Sequence, residues 1–586
     1  MSSEPGPTSL LPEGRRPPPT TIVTEGAWSF EVRGDEVADI RYAGVLLLRA
    51  VRAVVRDQDW NTIPVTVERH REEPSQPGAR TVLSLRFRGP GSEGPVDYLG
   101  ELTVDVRPDE LLVTFDGTAV SAFPRNRIGL VVLHPLSEAG RRVAHVRTDG
   151  SVEPSSWPTA ISPHQPFTDV AGFRWDRDGV AAELALEGEV FETEDQRNWT
   201  DASFKTYGTP LSVPFPVEVR PGDKVVQSAR LRARTSATPP ARPEARHPEA
   251  AVVRVGDEVV GAVPALSVGA SADPHVPAWA ADLGFETVLV ELSGPVSTWS
   301  TALDAAASQA AALGAALDVR VVCTRPEEVE HAVSLLDPGR VVRVGVFDRQ
   351  RHVPTRELWD ALQAAAAGRP LAATLLAGTR GHFAELNRTI GEQPADAAGL
   401  TCTITPQMHA TELPHVLDSL EGQQAVARDA TRLAVGRPVW VGPVTLRQRF
   451  NAVATSEAAA APAPDPLQTT AFTAAWALGS VAALTRPRIA GVCYFELSGP
   501  GGLGDAHGLY PVGRVLASLA DLRGQPVLAS RATAGLACYA VREASGTRVF
   551  VARLHDEAVP CEVHGLSGGV RTLTLEPWSV TELRGS

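Results

Sequence analysis

The chain has 586 residues, a formal net charge of −14 and a charged fraction of 21%. This length suffices for several domains, and an acidic balance without a cluster of Lys and Arg argues against nucleic acids and anionic membranes as partners. The five cysteines form no CxxC pair and match no zinc-binding spacing, so we predict a reduced, cytoplasmic protein without a metal site or a cofactor.

The first 20 residues are rich in proline and have neither the basic start nor the apolar stretch of a signal peptide. We therefore predict a disordered tail over residues 1–20. The chain contains no run of about 18 apolar residues, so no transmembrane helix is expected.

Residues 21–234 consist of short runs in which apolar and polar residues alternate, and Gly, Pro or Asp bounds each run. TVLSLRFRG and ELTVDVRPDELLVTFDGTAV are examples. Regular short strands separated by turn signals are typical of a β-sandwich, which we predict for this N-terminal domain. The stretch over residues 235–250 is rich in Pro, Ala and charge, and it predicts a linker.

From residue 251 to residue 520, apolar β-branched runs alternate with helical stretches rich in Ala and Leu. Eight such runs occur, at residues 265–270, 287–292, 318–323, 340–348, 371–378, 400–409, 438–446 and 491–497. This pattern predicts a central (β/α)8 TIM-like barrel, with an open doubly wound sheet as the alternative. Short strand-like runs return over residues 521–586 and predict a small C-terminal β-domain, so the fold class is multidomain, α/β plus all-β.

Polar residues close several of the predicted barrel strands, which is where the catalytic side chains of such barrels lie. Glu496 ends the eighth run, Glu385 follows the fifth, and His409 ends the sixth. We predict these three residues as catalytic, because a carboxylate that closes an apolar strand is costly unless it faces a polar mouth. The alternatives are a structural ion pair for Glu496, an exposed first helical turn for Glu385 and a satisfied structural role for His409.

Four further polar residues at these strand ends are predicted to bind substrate. They are Glu291, Asn387, Gln407 and Tyr494. An amide beside an acid can orient a substrate hydroxyl or carbonyl, whereas Glu291 could instead serve as a salt-bridge partner at the rim.

The run ETEDQRNWTDASFKTY, residues 192–207, mixes charged and hydrogen-bonding side chains with three aromatic rings. Aromatic faces cover the C–H faces of a sugar-like polyol, and polar groups bind its hydroxyls. We predict substrate-binding roles for Asp195, Arg197, Asn198 and Trp199. The alternative is a corner of the β-domain that packs its own rings and pairs its own charges.

Three segments of the chain resemble one known family. FETEDQRNWTDASFKTYGTPL (191–211) is similar to a signature of the D-apionate lactonases, bacterial enzymes of apiose catabolism, and shorter likenesses lie in TPQMHATE (405–412) and GVCYFELSGPGG (491–502). The three-part layout also resembles that family. One departure follows Glu496, where this chain has Leu-Ser-Gly-Pro and the family pattern has a Thr-Gly-Trp-type stretch.

The resemblance implies that water opens a sugar-acid lactone to the free aldonate, with a small-molecule sugar lactone as the partner. One of Glu496 and Glu385 would then be the base and the other the acid that protonates the ring oxygen. His409 and Asn387 would donate hydrogen bonds to the oxyanion or to hydroxyls. Two alternatives from other classes remain: a glycoside hydrolase with two barrel carboxylates, and a non-catalytic polyol-binding protein.

Overall fold

The computed structural model describes residues 11–74, 78–235, 250–369, 371–452, 463–567 and 569–585. Their strands form a large N-terminal network, a closed eight-stranded barrel, a seven-stranded sheet and one short two-stranded pairing. Within these residues no helix combines the length and the apolar character needed to cross a membrane. All five cysteines are free thiols.

The N-terminal domain is built of β-strands, as predicted. They are β1 Thr20–Glu25, β2 Trp28–Arg33, β3 Glu36–Tyr42, β4 Val45–Asp57, β5 Val65–Pro74, β6 Ala79–Gly91, β7 Gly94–Arg107, β8 Glu110–Ala119, β9 Phe123–Pro135, β10 Arg142–Arg147, β11 Val152–Ser156, β12 Phe167–Arg177, β13 Val180–Glu187, β14 Phe191–Asp195, β15 Ser203–Tyr207, β16 Val217–Val219 and β17 Lys224–Thr235. On β2 the side chains of Trp28, Phe30 and Val32 are buried while those between them are half-buried, which is the two-residue period of a strand with one face on a core.

The strands of this domain are all connected by hydrogen bonds, and the β-sandwich stays a prediction. Pairings between strands distant in sequence, such as β4 with β9 and β13 with β17, join all seventeen strands into one hydrogen-bonded network. The network encloses a large core that includes Trp28, Phe87 and Phe115.

The central domain is a closed barrel of eight parallel strands, and each predicted apolar run forms one of them. The strands are β19 Ala265–Gly269, β20 Thr287–Leu292, β21 Ala316–Cys323, β22 Val341–Asp348, β23 Thr374–His382, β24 Gly399–Ile404, β25 Val439–Val444 and β26 Ile489–Glu496. Its helices are α1 Trp299–Leu313, α2 Pro326–Leu335, α3 Arg356–Gly368, α4 Phe383–Arg388, α5 Leu413–Leu433, α6 Ala471–Leu484 and α7 Pro511–Ala520. The barrel closes through the parallel pairing of β26 with β19.

The C-terminal sheet contains one strand that was predicted as part of the barrel domain. Its strands are β18 Ala251–Ala262, β29 Pro526–Ala532, β30 Leu536–Glu543, β31 Gly546–Arg553, β32 Val559–His564, β33 Arg571–Leu575 and β34 Val580–Gly585, and the short pairing joins β27 Gly504–Asp505 to β28 Gly508–Leu509. β18 pairs with β29 and β32, so the barrel begins at Ala265 and the boundary at residue 251 was wrong.

The N-terminal segment before β1 is packed, in part, against the barrel. Leu11 is 4% exposed and belongs to the barrel's hydrophobic core, and Nε of Arg15 lies 3.3 Å from the carboxylate of Asp465. The predicted disordered tail is therefore wrong for residues 11–19. Residues 1–10 of that tail and residues 236–249 of the predicted linker lie outside the described residues.

The N-terminal domain packs against the loops that follow the fifth and sixth barrel strands. The side-chain amide of Asn387 donates to that of Asn198 at 3.0 Å, and Arg49 pairs with Asp418 at 2.7 Å. These contacts put one face of the N-terminal sheet over the carboxyl ends of the barrel strands, where the barrel fold holds its active sites.

Candidate active site

A cavity of about 630 Å³ lies between the N-terminal sheet and the barrel. Its size is within the range of small-molecule sites, roughly 300–1,000 Å³. Because side chains alternate between the two faces of a strand, one face of three paired strands forms the wall on the sheet side. That face carries Arg52, Val54 and Arg56 of β4, Arg127, Val131 and Leu133 of β9, and Ser203, Lys205 and Tyr207 of β15.

The opposite wall of the cavity comes from the segments after the fifth, sixth and seventh barrel strands, including the end of α4 and the start of α5. Its residues are Arg388, Gln407, Met408, His409, Ala410, Thr411, His415, Asp418, Arg447, Gln448 and Asn451. The turn that joins β14 to β15 adds Trp199 and Asp201 between the two walls. Predicted residues from both domains, namely Trp199, Gln407 and His409, therefore meet at one site.

His409 of the barrel and Asp201 of the N-terminal domain form a hydrogen-bonded pair in this cavity. Nδ1 of His409 lies 2.6 Å from the carboxylate of Asp201, and the ring of Trp199 packs edge-on against the imidazole, with centroids 5.6 Å apart. Burial, with the nearby cations Lys205 and Arg56, lowers the pKa of His409 well below its usual value.

The imidazole of His409 is therefore neutral and donates Nδ1–H to Asp201, so that Nε2 is left as a base. Among the described residues, Nε2 has no hydrogen-bond partner. Burial raises the pKa of Asp201 to about 7, which places the titration of the pair near neutral pH.

Lys205 and Gln407 also line the cavity, and only Lys205 has a partner within the described part of the protein. Lys205 forms an ion pair with Glu194 at 2.6 Å, and its ammonium lies 4.8 Å from the centroid of the Tyr207 ring. Gln407 is buried, and neither its amide nitrogen nor its amide oxygen has a partner among the described residues. An unpaired buried amide costs free energy. A bound ligand that hydrogen-bonds the Gln407 amide would recover this cost.

The predicted substrate-binding residues Asp195, Arg197 and Asn198 build the turn and do not line the cavity. Asp195 caps the short 3-10 helix Gln196–Trp199 by accepting from the backbone N–H of Arg197, and the Arg197 guanidinium binds both carboxylate oxygens of Asp195, at 2.8 and 2.6 Å. Asn198 donates to the carbonyl of Ser162 at 2.6 Å. Their polar atoms are occupied within the protein, so their role is to hold Trp199 and Asp201 in place.

Three barrel residues predicted to bind substrate are also committed to internal partners. Asn387 bonds Asn198 and the carbonyl of Ile161, and the buried Tyr494 hydroxyl shares a hydrogen bond with Ser480. Glu291 pairs with Arg380 at 3.1 Å and with Arg449 at 2.7 Å. Burial opposes ionisation of Glu291, but the two guanidinium groups outweigh it and lower the pKa.

The loop after the seventh strand covers the barrel mouth beside Glu291. Phe450 of this loop packs under the guanidinium of Arg380, 3.8 Å from the ring centroid, and against His352. The space left at the mouth beside Phe450 is very small, about 10 Å³. The large cavity therefore lies between the domains and not at the centre of the barrel mouth.

The two predicted catalytic carboxylates do not line the cavity. Glu385 lies in the first turn of α4, and burial raises its pKa to about 7; its Oε2 has no partner among the described residues. Glu496 ends β26 and is exposed, and partial desolvation raises its pKa while Arg449 opposes the shift. Of the three predicted catalytic residues, only His409 reaches the cavity wall.

The raised pKa of Glu385 predicts a pH-dependent effect of Glu385→Gln on stability. The folded-state pKa of about 7 exceeds the ordinary value of 4.5, so the wild type loses stability as the pH rises between these values, by about 3 kcal/mol in full. We expect the variant to melt a few degrees higher than the wild type at about pH 8 and at nearly the same temperature at about pH 5. Circular-dichroism melts at both pH values measure this, and equal shifts at the two would show that ionisation of Glu385 is not the cause.

Several cavity residues were not predicted from the sequence. Asp201 and Lys205 lie inside the polar and aromatic run at 192–207. The run therefore indicated this part of the cavity, although the prediction named other residues within it. Arg52 and Arg56 interrupt the apolar run VLLLRAVRAVVRD, and charges within a mostly buried strand could have marked that face. Arg388, which lies 5.0 Å from the Trp199 ring centroid, follows the fifth barrel strand, so its strand-end position was a signal as well.

Within the described residues, no three side chains of His, Cys, Asp or Glu are grouped so that they could hold a metal ion.

Two sequence profiles of one family match this chain. The N-terminal domain of D-apionate lactonase matches residues 9–236, and the TIM barrel domain of D-apionate lactonase matches residues 265–524. A D-apionate lactonase of Brucella anthropi is 29% identical over 467 residues, which are 74% of this chain and 73% of that protein.

Solved structures show more distant likenesses. A GH30 endoxylanase from Clostridium papyrosolvens is 12% identical with a TM-score of 0.41, over 58% of this chain and 100% of that one. A conserved exported protein from Bacteroides fragilis is 8% identical with a TM-score of 0.41, over 56% of this chain and 99% of that one. These two likenesses are too weak to bear on chemistry. The two profile matches span both large domains that form the cavity, and the chain belongs to the D-apionate lactonase family, a family of lactone-hydrolysing enzymes.

Proposed function

We propose that this enzyme hydrolyses a sugar-acid lactone of the D-apionolactone type to the free aldonate, in the cavity between the N-terminal sheet and the barrel. The observation that carries the proposal is the pair of His409 and Asp201, because it combines a general base with the group that orients it. The family membership supports the reaction type, and the cavity volume supports a small-molecule substrate.

His409 acts as the base in the first step. Nε2 takes a proton from water while the water oxygen forms a bond to the lactone carbonyl carbon, and the electron pair of the C=O double bond moves onto oxygen. Asp201 holds the imidazole by Nδ1 and stabilises the imidazolium that forms. A positioned base of this kind contributes about 10²- to 10⁴-fold in rate.

The negative charge that develops on the carbonyl oxygen needs a nearby donor. Arg56 can provide one, because it lies close enough to Asp201 and His409 to affect the pKa of both, and among the described residues no carboxylate pairs with it. The free amide of Gln407 is a second donor, able to bind the oxyanion or a ring hydroxyl.

Collapse of the tetrahedral intermediate completes the reaction. The carbonyl re-forms, the bond between the carbonyl carbon and the ring oxygen breaks, and the proton held by His409 passes to that oxygen. The product acid then ionises to the aldonate at neutral pH. No step requires Glu385 or Glu496. The mechanism with His409 and Asp201 therefore replaces the two-carboxylate mechanism that we predicted from the sequence.

The test separates the proposal from the two alternatives, a glycoside hydrolase and a binding protein. The purified enzyme is incubated with D-apionolactone or another aldonolactone and with aryl glycosides, and acid release is followed against aglycone release. We expect lactone opening well above the spontaneous rate and no aglycone. Aglycone release without lactone opening would establish the glycosidase, and lactone binding without turnover would establish the binding protein.

A further inference from the structure

Two arginines stand side by side on the sheet wall of the cavity. Arg56 of β4 and Arg127 of β9 are direct partners in the antiparallel ladder, so their side chains leave the same face of the sheet and both line the cavity. Like charges directly opposite each other on a sheet face are destabilising. The arrangement therefore costs stability unless something else compensates the two charges.

Carboxylates lie near both arginines, Glu194 and Asp201 near Arg56 and Glu192 near Arg127, but none of them contacts a guanidinium directly. Among the described residues, no carboxylate forms an ion pair with either guanidinium: Arg56 donates to the carbonyl of Trp60 at 3.1 Å, and Arg127 donates to the carbonyls of Asn126 and Pro210 at 2.8 and 3.0 Å. Three other cavity arginines do have acidic partners: Arg49 pairs with Asp418, Arg52 with Asp35 and Arg447 with Asp465.

Arg127 is the more deeply placed of the two. It is 3% exposed, its Nε has no partner among the described residues, and the rings of Trp60 and Phe215 each lie 5.3 Å from the guanidinium carbon. The two ring centroids are 5.5 Å apart and edge-to-face, so both rings flank the guanidinium on one side and hold it against its backbone acceptors. A fixed, desolvated guanidinium is a strong and geometrically selective site for a planar anion.

The ring-opening reaction creates such an anion, since a neutral lactone becomes an aldonate with a planar carboxylate. We infer that Arg56 and Arg127 form a carboxylate subsite that binds the ring-opened sugar acid more tightly than any uncharged polyol of the same length. This inference rests on the proposed function for the identity of the ligand, whereas the subsite itself rests on the geometry of the two arginines. It makes the aldonate a competitive inhibitor of lactone opening.

The test measures binding of matched ligands to the full-length enzyme by isothermal titration calorimetry, without turnover. The probes are an aldonate, the alditol of the same chain length and the corresponding sugar-alcohol phosphate. We expect the aldonate to bind at least about tenfold more tightly than the alditol, and Arg127→Gln to remove most of that difference. Arg125→Gln is the matched control, because Arg125 lies on the same strand but does not line the cavity.

Equal binding of aldonate and alditol by the wild type, or an unchanged preference in Arg127→Gln, would overturn the inference. Tighter binding of the phosphate than of the aldonate would overturn the assignment to a carboxylate. If Arg127→Gln does not fold, Arg56→Gln provides the same comparison. A lactone assay on the same samples keeps the two claims apart, because a preference for aldonate without turnover would refute the proposed function and leave the subsite standing.

Discussion

Replacing Asp201 by Asn is expected to lower kcat/KM for lactone opening by about 10²- to 10⁴-fold. The carboxylate accepts Nδ1–H of His409 at 2.6 Å and thereby keeps Nε2 unprotonated and directed at water. An Asn amide can donate to Nδ1 instead, which would move the proton to Nε2 and remove the base. Initial rates with an aldonolactone, corrected for spontaneous opening, measure the loss.

The same pair predicts the pH dependence of the wild type. Burial raises the pKa of Asp201 to about 7, and the mechanism needs this carboxylate ionised. We therefore expect kcat/KM to rise with pH through about 7 and to fall as the pH drops below it. In Asp201→Asn the residual rate should lose this dependence, because the titrating group is gone.

Asp418→Asn is the matched control for Asp201→Asn. Asp418 also lines the cavity, but it pairs with Arg49 at the domain contact and has no link to His409. We expect its kcat/KM to stay within a few-fold of the wild type. Equal losses in the two variants would mean that the cavity's net charge, and not the pair with His409, governs the reaction, and full activity of Asp201→Asn would remove the pair from the mechanism.

The barrel could be predicted closely because its eight strands are buried on both faces and so read as continuous apolar runs. The boundary at residue 251 failed because β18 has the same local pattern as a barrel strand, and only its partners β29 and β32, far away in sequence, assign it to the C-terminal sheet. Leu11 was missed for a related reason, since a proline-rich segment carries no local sign that one of its side chains is buried against a distant domain.

Some of the predicted site residues line the cavity, and others do not. Strand-end position selected His409 and Gln407 correctly as cavity residues, and the unusual run at 192–207 selected Trp199. The same criteria also selected Glu291 and Arg197, whose charges are neutralised by partners that no sequence spacing reveals. A charge on a strand is free for chemistry only if the tertiary structure leaves it without an ion-pair partner, as it does for Arg56 and Arg127 among the residues described.

The position of Asp201 depends on a glycine of the barrel, and this gives the second large expected effect. A methyl group built on Gly422, in the middle of α5, would lie 2.0 Å from the carbonyl oxygen of Thr200 and 3.2 Å from that of Asp201. Distances below 3.0 Å to backbone atoms do not occur for real Cβ atoms, so one of the two segments must move. The turn between β14 and β15 is the smaller element and is expected to be the one displaced.

We expect Gly422→Ala to lower kcat/KM by about 10²-fold, because a displacement near 1 Å at reacting groups costs about that much. The variant should also melt at a lower temperature than the wild type, since forcing a methyl group into a packed contact costs about 1–3 kcal/mol, against a gain of up to about 1 kcal/mol in helix propensity. Kinetic assays and thermal melts of the same preparation measure both effects.

Gly368→Ala is the control that separates close packing from helix propensity. Gly368 is also a helical glycine, the last residue of α3, but a methyl group there meets no atom within 4 Å. We expect this variant to keep full activity and to melt no lower than the wild type. If Gly422→Ala behaves in the same way, then α5 does not fix the Thr200–Asp201 backbone, and the geometry that assigns Asp201 to His409 is wrong. If only Gly422→Ala loses activity, the contact between the domains is what assembles the base, which explains why neither domain's own sequence pattern was enough to identify it.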